Sequence, residues 1–81
     1  MNRTDIHDRI RDILSKNFQI PREDITEDAG FRRDLGLDSL DVVDFVFFLN
    51  ESFQIQADLK QYRNLQTVGE LVGLLEQQLQ G

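Results

Sequence analysis

The most informative stretch of this chain is Asp34-Leu35-Gly36-Leu37-Asp38-Ser39-Leu40. A glycine-containing turn gives way here to a strongly apolar segment, and Ser39 stands where a helix is expected to begin. Asp38 precedes this serine, Asp41 follows it, and no basic residue comes after it until Lys60. A serine in such a negative field, with no base beside it, is a poor nucleophile for an enzyme. It is better suited to be modified by another enzyme.

The longer stretch from Phe31 to Asp41 resembles the phosphopantetheine attachment site of acyl carrier proteins. The family pattern is a phenylalanine, two residues and then Asp-Leu-Gly-x-Asp-Ser-Leu, and this chain matches it at every fixed position. The resemblance continues through Asp44, Glu51 and Phe53 and extends more loosely over nearly the whole chain. The seven-residue core is specific when it begins a helix in a small acidic chain.

The resemblance implies a carrier that is not itself an enzyme. A phosphopantetheinyl transferase would use coenzyme A and magnesium to place 4'-phosphopantetheine on Ser39, with Asp38 and Leu40 flanking the attachment point. The thiol of the arm would hold acyl groups as thioesters and present them to synthases, reductases, dehydratases or acyltransferases of the fatty acid or polyketide type. These partners would dock through basic surfaces on the family's recognition positions, which correspond to Asp41, Val43, Asp44, Phe47 and Glu51.

Two related functions stay open at this point. A peptidyl or aminoacyl carrier usually has Gly-Gly-x-Ser, whereas this chain has Gly36-Leu37-Asp38-Ser39. A carrier-like interaction subunit that is never acylated is the second alternative, although the intact Asp-Ser-Leu argues against it. An independent serine hydrolase is a poor fit, because it needs Gly-x-Ser-x-Gly after a strand and an oriented histidine. The single histidine, His7, has nothing that marks it as such a base.

Composition limits the remaining possibilities. Eighty-one residues predict one small domain over 1–81, which buries only about 60% of its unfolded surface. The absence of cysteine and the lone histidine leave no usual zinc site, and the acids do not match the Asp-x-Asp-x-Asp-Gly calcium loop. No apolar run has the length of a membrane span, and the N-terminus is charged. We expect a cytoplasmic monomer.

The net charge of −6 is concentrated in the middle of the chain. The segment from Glu23 to Glu51 carries nine acids and two bases, whereas the remainder carries six acids and seven bases. This distribution argues against nucleic acid as a partner and favours basic protein surfaces. The two bases in the acidic segment, Arg32 and Arg33, depart from the family, in which acids are common at these positions.

Apolar spacing predicts an all-α fold, a small bundle of three main helices plus one short helix. Four residues of the first helix share one face, and the helix should end near Lys16 or Asn17, before Pro21. A long loop over 18–37 then leads to a second helix from Ser39 to Phe53. A short helix is expected near Asp58, and Thr67-Val68-Gly69-Glu70 has the form of a capping box for the last.

The second helix has apolar residues on two sides. Its core stripe covers an arc of about 100°, as amphipathic helices require. Leu40, Val43 and Phe47 project to nearly the opposite side, and Phe48 projects among the acids. A small domain buries one side of a helix more easily than both, so the outward stripe is expected to contact a partner. The predicted core stripe consists of Val42, Phe45, Val46, Leu49 and Phe53.

Overall fold

Four α-helices and one short 3₁₀ helix form the fold in the computed structural model, which describes the backbone of residues 2–80 and the side chains of residues 2–79. This arrangement confirms the predicted bundle of three main helices, one short helix and a long first loop. The elements in chain order are α1 (Arg3–Asn17), the 3₁₀ helix (Arg22–Asp24), α2 (Ser39–Phe53), α3 (Leu59–Arg63) and α4 (Val68–Gln80).

Helix α1 forms the support on which α2 and α4 pack. Asn2 caps it by accepting the backbone N–H of Asp5 on its side-chain oxygen at 2.8 Å. A side-chain cap of this kind satisfies one of the four free N–H groups of a first turn. The predicted apolar face is buried, and its residues are Ile6, Ile10, Ile13 and Leu14.

The core lies where α1, α2 and α4 meet, and the long loop adds to it. Phe45 of α2 packs edge to face against Phe18 with ring centroids 6.1 Å apart, and it also contacts Phe31 of the loop at 5.7 Å. Among the described side chains, none of the buried residues is of a polar or charged type. Tyr62, however, buries its hydroxyl group. The largest fully buried side chains are Ile6, Ile10, Leu14, Ile25, Leu49, Val68, Leu71, Val72 and Leu75.

The long loop is tied to the start of α4 by backbone hydrogen bonds. The N–H of Phe31 donates to the carbonyl oxygen of Gln66 at 2.9 Å, and the N–H of Val68 donates to that of Ala29 at 3.0 Å. Paired backbone groups allow a loop of this length to follow a fixed path. Its apolar side chains also anchor it, because Ile25, Phe31 and Leu37 are buried and Ile20 and Leu35 are half-buried.

Two local details differ from the sequence prediction. Phe48 does not stand free among the acids, because Phe18 at the end of α1 packs edge to face on it at 6.1 Å and half buries it. At the start of α4, Thr67 accepts the N–H of Glu70 as predicted, at 3.2 Å. The Glu70 carboxylate accepts instead from the N–H of Gln66, one residue earlier than a capping box requires.

Candidate functional site

The turn before α2 is held by the side chain of Asp34. Its carboxylate accepts the backbone N–H of Gly30 at 2.7 Å and the guanidinium of Arg33 at 3.1 Å. These contacts lower the pKa of Asp34, the Gly30 N–H bond being the larger cause and Arg33 the smaller. Gly36 follows with φ of +70°, a left-handed conformation that favours glycine over residues with a Cβ. The motif's Asp-Leu-Gly therefore has a structural function.

A capping box made of two aspartates begins α2. The Asp38 carboxylate accepts the N–H of Asp41 at 2.9 Å, and the Asp41 carboxylate accepts the N–H of Asp38 at 3.1 Å. The N-cap is therefore Asp38, and Ser39 is the first residue of the helix. The sequence prediction missed this pair, although Asp-x-x-Asp before an apolar run is close to the known capping-box pattern.

Ser39 is consequently exposed, and its hydroxyl is not used to cap the helix. The free N–H groups of the first turn and the helix dipole favour negative charge near this position. Leu40 beside it is also exposed, with 76% of its surface accessible. The residues around Ser39 thus fit a phosphate ester on its oxygen, which would project into solvent and lie near a helix N-terminus.

The second apolar stripe of α2 faces solvent. Val43 and Phe47 have 45% and 57% of their surfaces accessible, and together with Leu40 they are the exposed large hydrophobic residues of the described chain. Asp44 and Glu51 are exposed as well, whereas Asp41, which takes part in the capping box, is half-buried. The predicted outward projection of the stripe is confirmed, and no neighbouring loop covers it in the described structure.

A cavity of about 820 Å³ lies beside Ser39, between the end of the long loop, α2, α3 and the start of α4. Its apolar wall is formed by side chains of the loop and of two helices, including Phe31, Phe45 and Leu71. Tyr62 of α3 also lines it, and its buried hydroxyl has no hydrogen-bond partner among the described residues. Burial raises the pKa of Tyr62, so this hydroxyl stays protonated near neutral pH. Sequence spacing alone gave no signal of this cavity.

Comparison with known proteins agrees with the geometry. The sequence model of a family described as the phosphopantetheine attachment site matches residues 8–75. An acyl carrier protein of Saccharopolyspora erythraea is 39% identical over 74 residues, which are 91% of this chain and 78% of the relative. One of Thermotoga maritima is 32% identical over 78 residues, 96% of each chain. The chain belongs to the acyl carrier protein family.

A further relative, the acyl carrier protein of Lactobacillus acidophilus, is 30% identical over 76 residues, which are 94% of this chain and 95% of the relative. The cofactor of this acyl carrier family is phosphopantetheine, in agreement with the sequence prediction. The described residues include no helix long and apolar enough to cross a membrane. Over the same residues, no three acidic, histidine or cysteine side chains cluster as ligands for a metal.

Proposed function

We propose that residues 1–81 form a single acyl carrier domain whose 4'-phosphopantetheine arm is attached to the oxygen of Ser39. Asp38 and Leu40 would flank the attachment point for the modifying transferase. The arm would supply a thiol that this cysteine-free chain lacks, so that acyl groups can be held as thioesters. The chain itself would perform no catalysis, and its cytoplasmic, monomeric state stays a prediction.

The observation that carries this proposal is the position of Ser39 at the start of α2. The carboxylates of Asp38 and Asp41 cap the start of the helix by satisfying two of its N–H groups, so the serine hydroxyl stays available on an exposed residue. Attachment would form a bond between this oxygen and the pantetheine-side phosphorus of coenzyme A and break the P–O bond of its pyrophosphate. Adenosine 3',5'-bisphosphate would leave, and the hydroxyl proton would be released. The exposed helix start gives a transferase access to the reacting oxygen without unfolding of the domain.

Partner enzymes would dock on the exposed side of α2. Asp44 and Glu51 offer carboxylates, while Val43 and Phe47 offer apolar surface between them. Such a surface complements one with basic residues around an apolar depression, since charge steers the encounter and apolar burial prolongs the complex. Asp41 would add charge at the edge nearest to Ser39. Synthases, reductases, dehydratases and acyltransferases with basic docking surfaces are the proposed partners.

The test is modification in vitro by a phosphopantetheinyl transferase with coenzyme A and magnesium. We expect the parent to gain the mass of one phosphopantetheine and Ser39→Ala to gain none. Ser52→Ala, which changes another serine of α2, is the matched control and should be modified like the parent. Full modification of Ser39→Ala would contradict the site. Failure of the parent to be modified by any of several transferases would favour the interaction subunit that is never acylated.

A further inference from the structure

The cavity beside Ser39 has a charge opposite to that of the chain. Three arginines line it, and none of its described lining residues is an aspartate or a glutamate. The whole chain, by contrast, has a net charge of −6. The three cations come from two separate segments, Arg32 and Arg33 from the long loop and Arg63 from the end of α3. The fold therefore gathers positive charge next to the predicted attachment point.

Two of these guanidinium groups are free to bind an anion. Arg33 is paired with Asp34 at 3.1 Å, but neither Arg32 nor Arg63 forms an ion pair with any described residue. Other arginines of the chain do form such pairs, including Arg11 with Asp8 at 3.6 Å. A guanidinium presents a planar fork of N–H donors that matches the two oxygens of a carboxylate.

The rest of the cavity wall is suited to a short hydrocarbon chain. The side chains of Phe31, Val42, Phe45 and Leu71 belong to its apolar lining. The volume of about 820 Å³ lies within the range of small-molecule sites. The hydroxyl of Tyr62 in the same wall is buried and has no partner among the described residues, so it places one polar group within an otherwise apolar wall. An apolar lining with unpaired polar groups indicates a guest that has both an apolar part and a charged or polar end.

We propose that this cavity receives an acyl group that ends in a carboxylate, with its hydrocarbon part on the phenylalanine wall and its carboxylate at Arg32 and Arg63. The inference rests on the proposed function, because the arm on Ser39 would bring the group to the cavity. It deepens that function by assigning a class of cargo, the half-thioesters of dicarboxylic acids. The arm's own phosphodiester is the other source of negative charge near these arginines, so the experiment must separate the two.

The experiment compares three forms of the protein made with a transferase from coenzyme A, adipyl-coenzyme A and hexanoyl-coenzyme A. The two acyl groups have the same number of carbons and differ in the terminal carboxylate. Melting temperature and the amide NMR signals of residues 62–67 are the measurements. We expect the adipyl form to melt about 2–6 °C above the hexanoyl form at low salt. The adipyl form should also shift these amide signals most.

Variants identify the groups responsible for this difference. Arg32→Gln and Arg63→Gln should each reduce the difference in melting temperature between the adipyl and hexanoyl forms by half or more. Arg63→Lys should retain part of this difference. Arg22→Gln is the control, because Arg22 lies outside the cavity and pairs with Asp12. The three positions changed, Arg22, Arg32 and Arg63, are all exposed, so circular dichroism should show the parent's helicity for each of the four variants.

Two results would overturn the proposal. The first is equal melting and equal NMR shifts of the adipyl and hexanoyl forms. The second concerns the form that carries the arm without an acyl group. If Arg32→Gln and Arg63→Gln lower the melting temperature of this form as much as that of the adipyl form, the arginines bind the phosphodiester of the arm. Failure of the proposed function would be seen separately, because the intact mass would then show no arm on the protein before any cargo is compared.

Discussion

Asp38 and Asp41 each accept the backbone N–H of the other, at 2.9 Å and 3.1 Å, and so close the first turn of α2 around Ser39. The two carboxylates satisfy N–H groups that would otherwise need water or the serine hydroxyl. The family motif therefore separates two tasks between neighbouring residues. Asp38 begins the helix, and Ser39 keeps its oxygen exposed for modification.

This separation predicts different effects of two adjacent substitutions. Asp38→Ala should lower the free energy of unfolding by about 1 kcal/mol, because it removes the N-cap. Ser39→Ala should change it by much less, since the hydroxyl has no capping bond to lose. Urea unfolding of both variants, with the exposed Asp44→Ala as a control, measures the difference. Equal losses at positions 38 and 39 would show that the serine contributes to the cap.

The two sides of α2 should respond differently to loss of an aromatic ring. Phe53 is buried with 7% of its surface accessible, and the guanidinium of Arg9 lies 5.3 Å from its ring centroid. Phe53→Ala should therefore cost about 3–5 kcal/mol, a large part of the stability of so small a domain. Phe47→Ala on the exposed side should cost well under 1 kcal/mol. Thermal unfolding of the pair tests both values, and an unchanged melting temperature for Phe53→Ala would contradict the core assignment.

The helical period of the sequence was sufficient to predict both sides of α2 and the bounds of most helices. Apolar residues at a spacing of 3.6 determine which face is buried, so the inward position of Phe53 and the outward position of Phe47 both followed from the sequence. The Asp-Leu-Gly-x-Asp-Ser-Leu motif identified the site for a similar reason, because its glycine and its acids are local requirements of one turn and one helix start.

Features that depend on contacts between distant segments could not be predicted in this way. Phe48 is half-buried because Phe18, thirty residues earlier, packs on it, and no projection of α2 alone contains that contact. The cavity beside Ser39 is formed by a loop and three helices, so its arginines come together only in three dimensions. The residue whose N–H Glu70 accepts, Gln66, is likewise paired through its carbonyl oxygen with the N–H of Phe31 in the long loop.

Substitution by alanine should affect stability differently at two glycines of α4. A Cβ on Gly69 would lie 3.0 Å from the carbonyl oxygen of Glu27, which accepts the Gly69 N–H at 2.8 Å. A Cβ on Gly73 would meet nothing closer than 3.9 Å. Gly73→Ala should stabilise the protein by up to about 1 kcal/mol through helix propensity. Gly69→Ala should be neutral or destabilising because the loop that contains Glu27 must move. If chemical denaturation shows Gly69→Ala to be more stable than Gly73→Ala, the close approach of position 69 to the Glu27 carbonyl is contradicted.

Acid should weaken the turn before Ser39 through Asp34. The Gly30 N–H and Arg33 lower the pKa of this carboxyl in the folded protein, so the folded state binds its proton less tightly than the unfolded state. Its contribution is therefore present above the ordinary aspartate pKa of about 3.9 and is lost as the pH falls through the lower folded value. Asp34→Asn cannot titrate, and its stability should fall less steeply than the parent's below about pH 4.

Urea unfolding over a series of pH values measures this difference in slope. Asp34→Ala provides the comparison at neutral pH, because alanine leaves the Gly30 N–H without its acceptor whereas asparagine still offers an oxygen. We expect the alanine variant to be the less stable of the two at pH 7. Identical acid slopes for the parent and Asp34→Asn would show that the turn does not depend on this ionisation.

Docking on the exposed side of α2 should separate into a charge effect and an apolar effect. Asp44 is exposed, and a salt-screened attraction to a basic partner would mainly set the rate of encounter. Asp44→Lys should therefore slow modification by the transferase most at low ionic strength. Phe47 has 57% of its surface accessible and would be buried in a complex, where an aromatic anchor mainly sets the lifetime. Phe47→Ala should hasten dissociation from a downstream enzyme with little dependence on salt.

Rates of modification and dissociation, measured across a salt series, distinguish the two effects. Glu23→Lys makes the same charge change on the 3₁₀ helix, and it should slow association less than Asp44→Lys does. Both α2 variants should keep the parent's helicity, because neither side chain lies in the core. If Phe47→Ala unfolds the protein while its folded fraction docks normally, Phe47 supports the core and partners bind elsewhere. If Asp44→Lys and Glu23→Lys slow association equally, only the net charge matters and α2 is not the docking surface.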